Sequence, residues 1–253
     1  MTNREITPSD WQIEQFRCTA FLQPQSAVTA HEVFVTIADA EPVARSENRQ
    51  QAMSSSSGKL EDIKINVVQV PARLDVLFQS AEEPGASNAV VIGQYVDRKN
   101  ALISRVARWL DQQPHVQRLA MGVVAVVQVA GRPEGYRMLQ KLLPSVTLDP
   151  EHSSDFNYQI NRPRLVNVAD EFRIKINRLS KWGVAASIFQ TFTFHGAEAA
   201  IASQPVLLRH ACRAELDLSS DQEVAGLPPP HLTQLWNTFS SLADELISKG
   251  DVS

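Results

Sequence analysis

Apolar positions recur most regularly at the C-terminal end, where Leu232, Leu235, Trp236, Phe239, Leu242, Leu246 and Ile247 keep a 3.6-residue repeat. That repeat predicts an amphipathic helix over 231–248, entered after Pro228, Pro229 and Pro230. Ile103, Val106, Ala107 and Leu110 form a second stripe. It predicts a helix from an Asp97 N-cap to about Gln113, ended by Pro114. Pro133 opens a shorter helix through Leu143, stopped by Pro144, and an Ala-rich run predicts a small one over 197–203.

Alternation with a period of two marks the strands. They are expected at 12–22, 28–38, 63–79, 88–96, 157–166, 172–194 and 206–218, with Pro71 marking a bulge or an edge. In 28–38, Val33, Val35 and Ile37 alternate with Phe34 and Thr36, which suits a sheet partly covered on both sides. Leu119 to Val129 is apolar at nearly every position, so a central strand covered on both faces is expected. Residues 41–60 lose all periodicity and contain Ser54 to Ser57, which reads as a mobile loop.

Strands, helix and strand therefore come round twice. The expected fold class is α+β, a largely antiparallel sheet with a few packed helices and two similar halves. The halves are placed at 1–150 and 151–253, the second closed by the amphipathic helix. One continuous sheet through both halves is preferred to two separate domains.

Composition narrows the functions. Of 253 residues, 43% are hydrophobic and 21% charged, and the formal net charge is −4. That balance argues against nucleic-acid or membrane binding driven by global charge, though a local patch can still act. No apolar run is long enough to span a bilayer, and the first residues lack the apolar core of a signal peptide. Cys18 and Cys212 make no disulfide framework, so a cytoplasmic location is expected.

Catalytic signatures are missing from the sequence. The SSSSGK run ending at Lys59 lacks the first glycine of a phosphate loop, and Leu60 stands where a Ser or Thr would bind magnesium. His195 and His210 have no ligand-spaced companions. Glu215 and Asp217 alternate on one side of a strand, with Arg213 beside them. Such a carboxylate pair could hold a divalent cation, but a cross-strand charge pair is the simpler reading.

One stretch departs from the acidic balance. Residues 158–182 carry six basic side chains and repeat Ile-Asn-Arg at 160–162 and 176–178. Folded as a hairpin about 167–171, with Val166 opposite Phe172 and Asn161 opposite Asn177, they present a basic stripe. The candidate partner- or anion-binding residues are Arg162, Arg164, Arg173, Lys175, Asn177, Arg178 and Lys181. A solvated edge whose cations prevent strand pairing is the plainer alternative. Trp182 reads as core, with stacking beside the stripe as its other role.

The stretch RAELDLSSDQEVAGLPPPHLTQLWNTFSSLADELISKG, following an INR strand, resembles a sporadically distributed group of uncharacterised bacterial proteins of about this length. The resemblance covers roughly the second half. It implies a bacterial cytoplasmic protein carried in accessory or mobile gene clusters, and it implies no catalytic residue. Together these readings point to a non-enzymatic interaction protein, a subunit or adaptor of a bacterial multi-protein assembly. A protein partner is expected, with no membrane, no cofactor and no metal. The runner-up is a nucleic-acid-associated protein using the basic stripe; a metal-dependent hydrolase using Glu215 and Asp217 comes third.

Overall fold

The computed structural model describes residues 6–23, 28–82, 90–113, 116–169, 172–189, 192–193, 202–203, 207–221 and 228–252. Its strands are β1 (Gln12–Leu22), β2 (Ala44–Asn48), β3 (Met53–Leu60), β4 (Ile63–Val70), β5 (Arg73–Ser80), β6 (Gly93–Gln94) and β7 (Val116–Val129). They continue as β8 (Asn157–Asn161), β9 (Arg164–Ala169), β10 (Phe172–Phe189), β11 (Phe192–Thr193), β12 (Ala202–Ser203) and β13 (Leu207–Ser220). The helices are α1 (Ala30–Ala38), α2 (Tyr95–Leu110), α3 (Arg132–Leu142) and α4 (Pro229–Lys249). The fold is α+β, as the periodicities predict.

Eleven strands make one antiparallel sheet in the order β2-β3-β4-β5-β1-β7-β13-β10-β8, with β6 added to β1 and β9 to β10. The chain follows the same course twice. A long strand, a helix, an antiparallel meander returning to that strand, and a second helix describe both β1 to α2 and β7 to α4. The two opening strands, β1 and β7, lie side by side at the centre, with Cys18 opposite Met121.

All four helices pack on one face. Directly opposed residues of antiparallel strands share a face, so Phe16, Phe78 and Val123 point together, and Trp236 of α4 meets Phe16 edge-on at 6.0 Å. Phe34 of α1 closes over Gly58, where a side chain would collide with the ring. Val184 fills the same role against Gly135 of α3. Trp11 and Trp182, both fully buried, meet edge-on at 6.1 Å, so Trp182 belongs to the core. Gly250, at φ +74, ends α4 where an added Cβ would strike the carbonyl of Leu142.

Several expectations are corrected. The predicted strand over 28–38 is helix α1. Thr29 and Glu32 form a capping box, and Val33, Phe34 and Ile37 turn inward on a helical face. The predicted loop over 41–60 is the hairpin β2–β3. Ser54, Ser55, Ser56 and Ser57 occupy regular strand positions there, and β2 is exposed throughout. Helix α2 starts at Tyr95 after Gln94 and ends at Leu110, so Asp97 sits in its first turn. The strand expected over 88–96 shrinks to β6. Pro71 and Ala72, at φ +60, make a tight turn between β4 and β5. The helix expected over 197–203 lies outside the described residues except for Ala202 and Ser203, which pair as strand.

β7 is central and buried on both faces along its middle, but no described helix covers its second face. Leu119, Met121 and Val123 face the helices, whereas Ala120, Gly122 and Val124 face away from all four.

Candidate functional site

The face opposite the helices is a polar surface that no described helix crosses. The register orders it into transverse rows. One row runs Lys59, Lys64, Gln79, Gln15, Val124, Glu215, Lys181 and Gln159. The next passes through Asn66, Leu77, Arg17, Gly122, Asp217, Leu179 and Asn161. A third passes through Asp75, Thr19, Ala120, Ser219 and Asn177. Same-face rows lie about 6.5–7 Å apart along the strands.

Small residues lower the middle of this face. Thr19, Ala120 and Ser219 are 3%, 6% and 4% exposed. Gly122 lets the Arg17 side chain lie flat on the backbone, since an added Cβ would stand 3.2 Å from its guanidinium. The result is a depression of about 360 Å³ lined by Gln15, Arg17, Val124, Leu179, Lys181 and Asp217, among others.

Charge pairs hold its walls. Arg17 donates to Asp217 at 2.9 Å, Lys181 reaches Glu215 at 3.5 Å, and Arg213 bridges Glu14 and Glu215. Arg73 pairs with Asp75, and Lys175 lies 3.8 Å from Asp221. Arg73 and Arg118 flank the Phe21 ring at 6.0 and 5.0 Å. Face assignment gives this surface an excess of cations on a chain of net charge −4. To Arg17, Lys59, Lys64, Arg73 and Arg118 the second half adds Arg173, Lys175, Lys181, Arg209 and Arg213. Against these stand Glu14, Asp75, Glu215, Asp217 and Asp221. Among the described residues, Lys59, Lys64 and Arg173 carry no ion pair.

The seven candidate residues of the hairpin divide between the two faces. Arg173, Lys175, Asn177 and Lys181 lie on the open face. Arg162, Arg164 and Arg178 turn under the sheet to the end of α4. Arg162 takes Asp251 with two donors, one at 2.8 Å, while Tyr158 donates to the same carboxylate at 2.6 Å. Arg164 takes Glu245 at 2.6 Å. Arg178, 1% exposed, lies 3.8 Å from Glu245 and donates to the Val252 carbonyl at 3.3 Å. The single stripe expected from the sequence is therefore two clusters of opposite purpose.

Alternation makes the split, and the hairpin departs from expectation in two ways that leave it unchanged. The stretch 158–166 breaks at Arg162–Pro163 into β8 and β9, and the register is two residues off, with Val166 opposite Ile174 and Asn161 opposite Leu179. An even slip preserves each residue's face, so the alternation of Arg173, Lys175 and Asn177 stands. Asn161 caps the arrangement. Its side chain accepts from the Arg178 amide at 2.9 Å and donates to Asn177 at 3.2 Å. Arg178, expected in the stripe, shares the inward side of Ile174 and Ile176 instead, and its burial depends on an acid supplied by α4.

Electrostatics follow this division. The hydrogen bond from Arg162 holds the Asp251 carboxyl below the usual range, and Arg164 does the same for Glu245. Burial lowers the Arg178 guanidinium from its ordinary value, with Arg164 adding like-charge repulsion. Burial pushes the Cys212 thiol up to about 12 and the Cys18 thiol higher still, so neither is a thiolate nucleophile at neutral pH.

Glu215 and Asp217 face the depression, each already bridged by a cation, and no cluster of three metal-ligating side chains exists among the described residues. His195 lies outside the described residues. A second concavity of about 590 Å³ lies between the start of α1 and the β2–β3 hairpin. His31, Arg45 and Arg49 line it, the two arginines paired with Glu41 and Glu47. No helix among the described residues is long and apolar enough to cross a membrane. No family model matches the chain, and no curated protein matches it.

Proposed function

We propose that the protein is a non-enzymatic docking protein, a subunit or adaptor of a bacterial multi-protein assembly acting in the cytoplasm. The observation that carries this reading is the open face. A sheet nine strands wide keeps all the described helices on one side and leaves the other polar, ordered and indented at its centre. Around the depression its charged side chains are held by cross-strand pairs before any partner arrives, which lowers the entropy lost on binding. The resemblance of the second half to a bacterial group supports the bacterial setting, and the two free buried cysteines fit a reducing compartment.

The nucleic-acid reading is weakened by the division of the basic hairpin. Three of its arginines are committed to Glu245 and Asp251, and Lys181 and Lys175 stand beside carboxylates. The hydrolase reading loses its footing where Glu215 and Asp217 are already neutralised.

Photo-crosslinking in native lysate tests the docking reading. A photoreactive residue at Val124, in the depression, should capture a protein partner that survives nuclease treatment. The same residue at Arg108, exposed on α2, should not. Equal capture from both positions, or loss of the crosslink on nuclease treatment, would remove the open face as a protein-docking surface.

A further inference from the structure

Resting on the docking reading, we infer that the partner presents an acidic protein segment that lies along the row from Lys59 and Lys64 into the central depression. Lys59 and Lys64 stand directly opposite each other on β3 and β4, side chains on the open face. Like charges so placed repel, and no carboxylate relieves them: the nearby acids Glu61 and Asp62 are engaged by Arg98. Gln79 and Gln15 follow in the same row, offering both donors and acceptors, and lead to the depression at Val124. At a strand spacing of about 4.8 Å, Lys64 lies roughly 14 Å from that depression, a span of four or five extended residues.

The same geometry favours a polypeptide over nucleic acid. A phosphate backbone following this row would run onto Glu215, with Asp217 in the row beside it. Phe21, on this face, is already flanked by two guanidinium groups and offers no free ring for base stacking. An acidic protein segment can place carboxylates over the lysine pair and neutral side chains over the charge-balanced centre.

Fluorescein-labelled polyglutamate of about 20 residues, titrated against the full chain and followed by anisotropy, supplies the test. At low salt it should bind, and raising salt to about 0.15 M should weaken it through screening. Lys59→Glu with Lys64→Glu should weaken binding at least tenfold, Lys59→Gln with Lys64→Gln should weaken it less, and Arg108→Glu on the helical side should leave it unchanged. Single-stranded and duplex DNA of about 20 nucleotides should compete poorly. Absence of polyglutamate binding, equal binding by the lysine double variants, or DNA binding as tightly as polyglutamate would each overturn the inference. With the photoreactive residue kept at Val124, Leu179→Trp, which fills the same depression, separates the two readings. If it abolishes the lysate crosslinks while polyglutamate never binds, the docking face stands and the acidic partner falls. Circular dichroism of every variant confirms the fold before binding is scored.

Discussion

Asp251 and Asp217 each take an arginine at hydrogen-bonding distance, on opposite sides of one sheet. Under the sheet, the Asp251 side chain is 1% exposed and held by Arg162 and Tyr158. On the open face, Asp217 is 41% exposed and Arg17 33%. Distance alone does not separate them; water does. A charge removed from water depends on its partners, so losing one is costly, whereas an exposed pair exchanges its partner for solvent with little change. The helix-covered side uses charge to fix the end of α4. The open side keeps charge in a form that a partner can re-pair.

Core packing should show the largest effect. Trp236 is fully buried, meets Phe16 and Phe239 edge-on, and donates its indole N–H to the Ile103 carbonyl at 3.2 Å. Trp236→Ala should destabilise by about 3–5 kcal/mol, measured by urea denaturation. A midpoint close to the parent's would mean that α4 does not close the core, and the contrast between the faces would fail at its stronger side.

Next comes the covered charge cluster. Asp251→Asn should cost about 2–3 kcal/mol, because it weakens charged hydrogen bonds and leaves Arg162 without its anion. The effect should depend on pH with a definite sign. Asp251 and Glu245 titrate below their unfolded values of about 3.9 and 4.3. The folded protein thus binds fewer protons than the unfolded chain. Their stabilisation is complete above those unfolded values and is lost as pH falls through the depressed folded ones. Asp251→Asn should lose less stability than the parent between about pH 5 and pH 2. A steeper acid loss in the variant would contradict the assignment.

These two faces differ in how much of each was legible in the sequence. Helix α4 could be read directly, since Leu232, Leu235, Trp236 and Phe239 bury one stripe. Helix α1 could not be read by alternation, because Val33, Val35 and Ile37 satisfy a period of two while Val33, Phe34 and Ile37 satisfy a helical face. The capping box of Thr29 and Glu32 was the deciding signal. The β2–β3 hairpin was hidden because β2 is exposed along its whole length, and a strand with no buried side writes no apolar alternation. β7 misled in another way. Gly122 and Val124 line the depression, Gly122 lies against Arg17, and Ala120 and Val126 are buried without a described helix over them. The open face itself was illegible, since its rows join residues from eight strands. Only one fragment, the outward set Arg173, Lys175 and Lys181, could be read from local alternation.

Arg17→Ala tests the open side. With 33% and 41% exposure, the pair should contribute about 0–1 kcal/mol, and a double-mutant cycle with Asp217→Ala should give a coupling in that range. Coupling above about 2 kcal/mol would mean that the open face, like the covered one, is held for stability.

Smallest in stability and most informative for function is the triple change Arg173→Gln, Lys175→Gln and Lys181→Gln. Arg173 and Lys175 are exposed and Lys181 is half-buried beside Glu215. Thermal unfolding should therefore shift little, since exposed charges contribute about 0–1 kcal/mol each. Binding should respond differently from stability. These residues flank the depression on the side opposite Lys59 and Lys64, so removing them reduces the positive field without touching the lysine pair. An acidic protein partner should then associate more slowly, with dissociation changed much less, because charge at the rim of an interface acts mainly on encounter. Surface plasmon resonance against the crosslinked partner would separate the two rates. Unchanged rates, together with unchanged stability, would leave Arg173, Lys175 and Lys181 as a solvated strand face and confine recognition to the first half of the sheet.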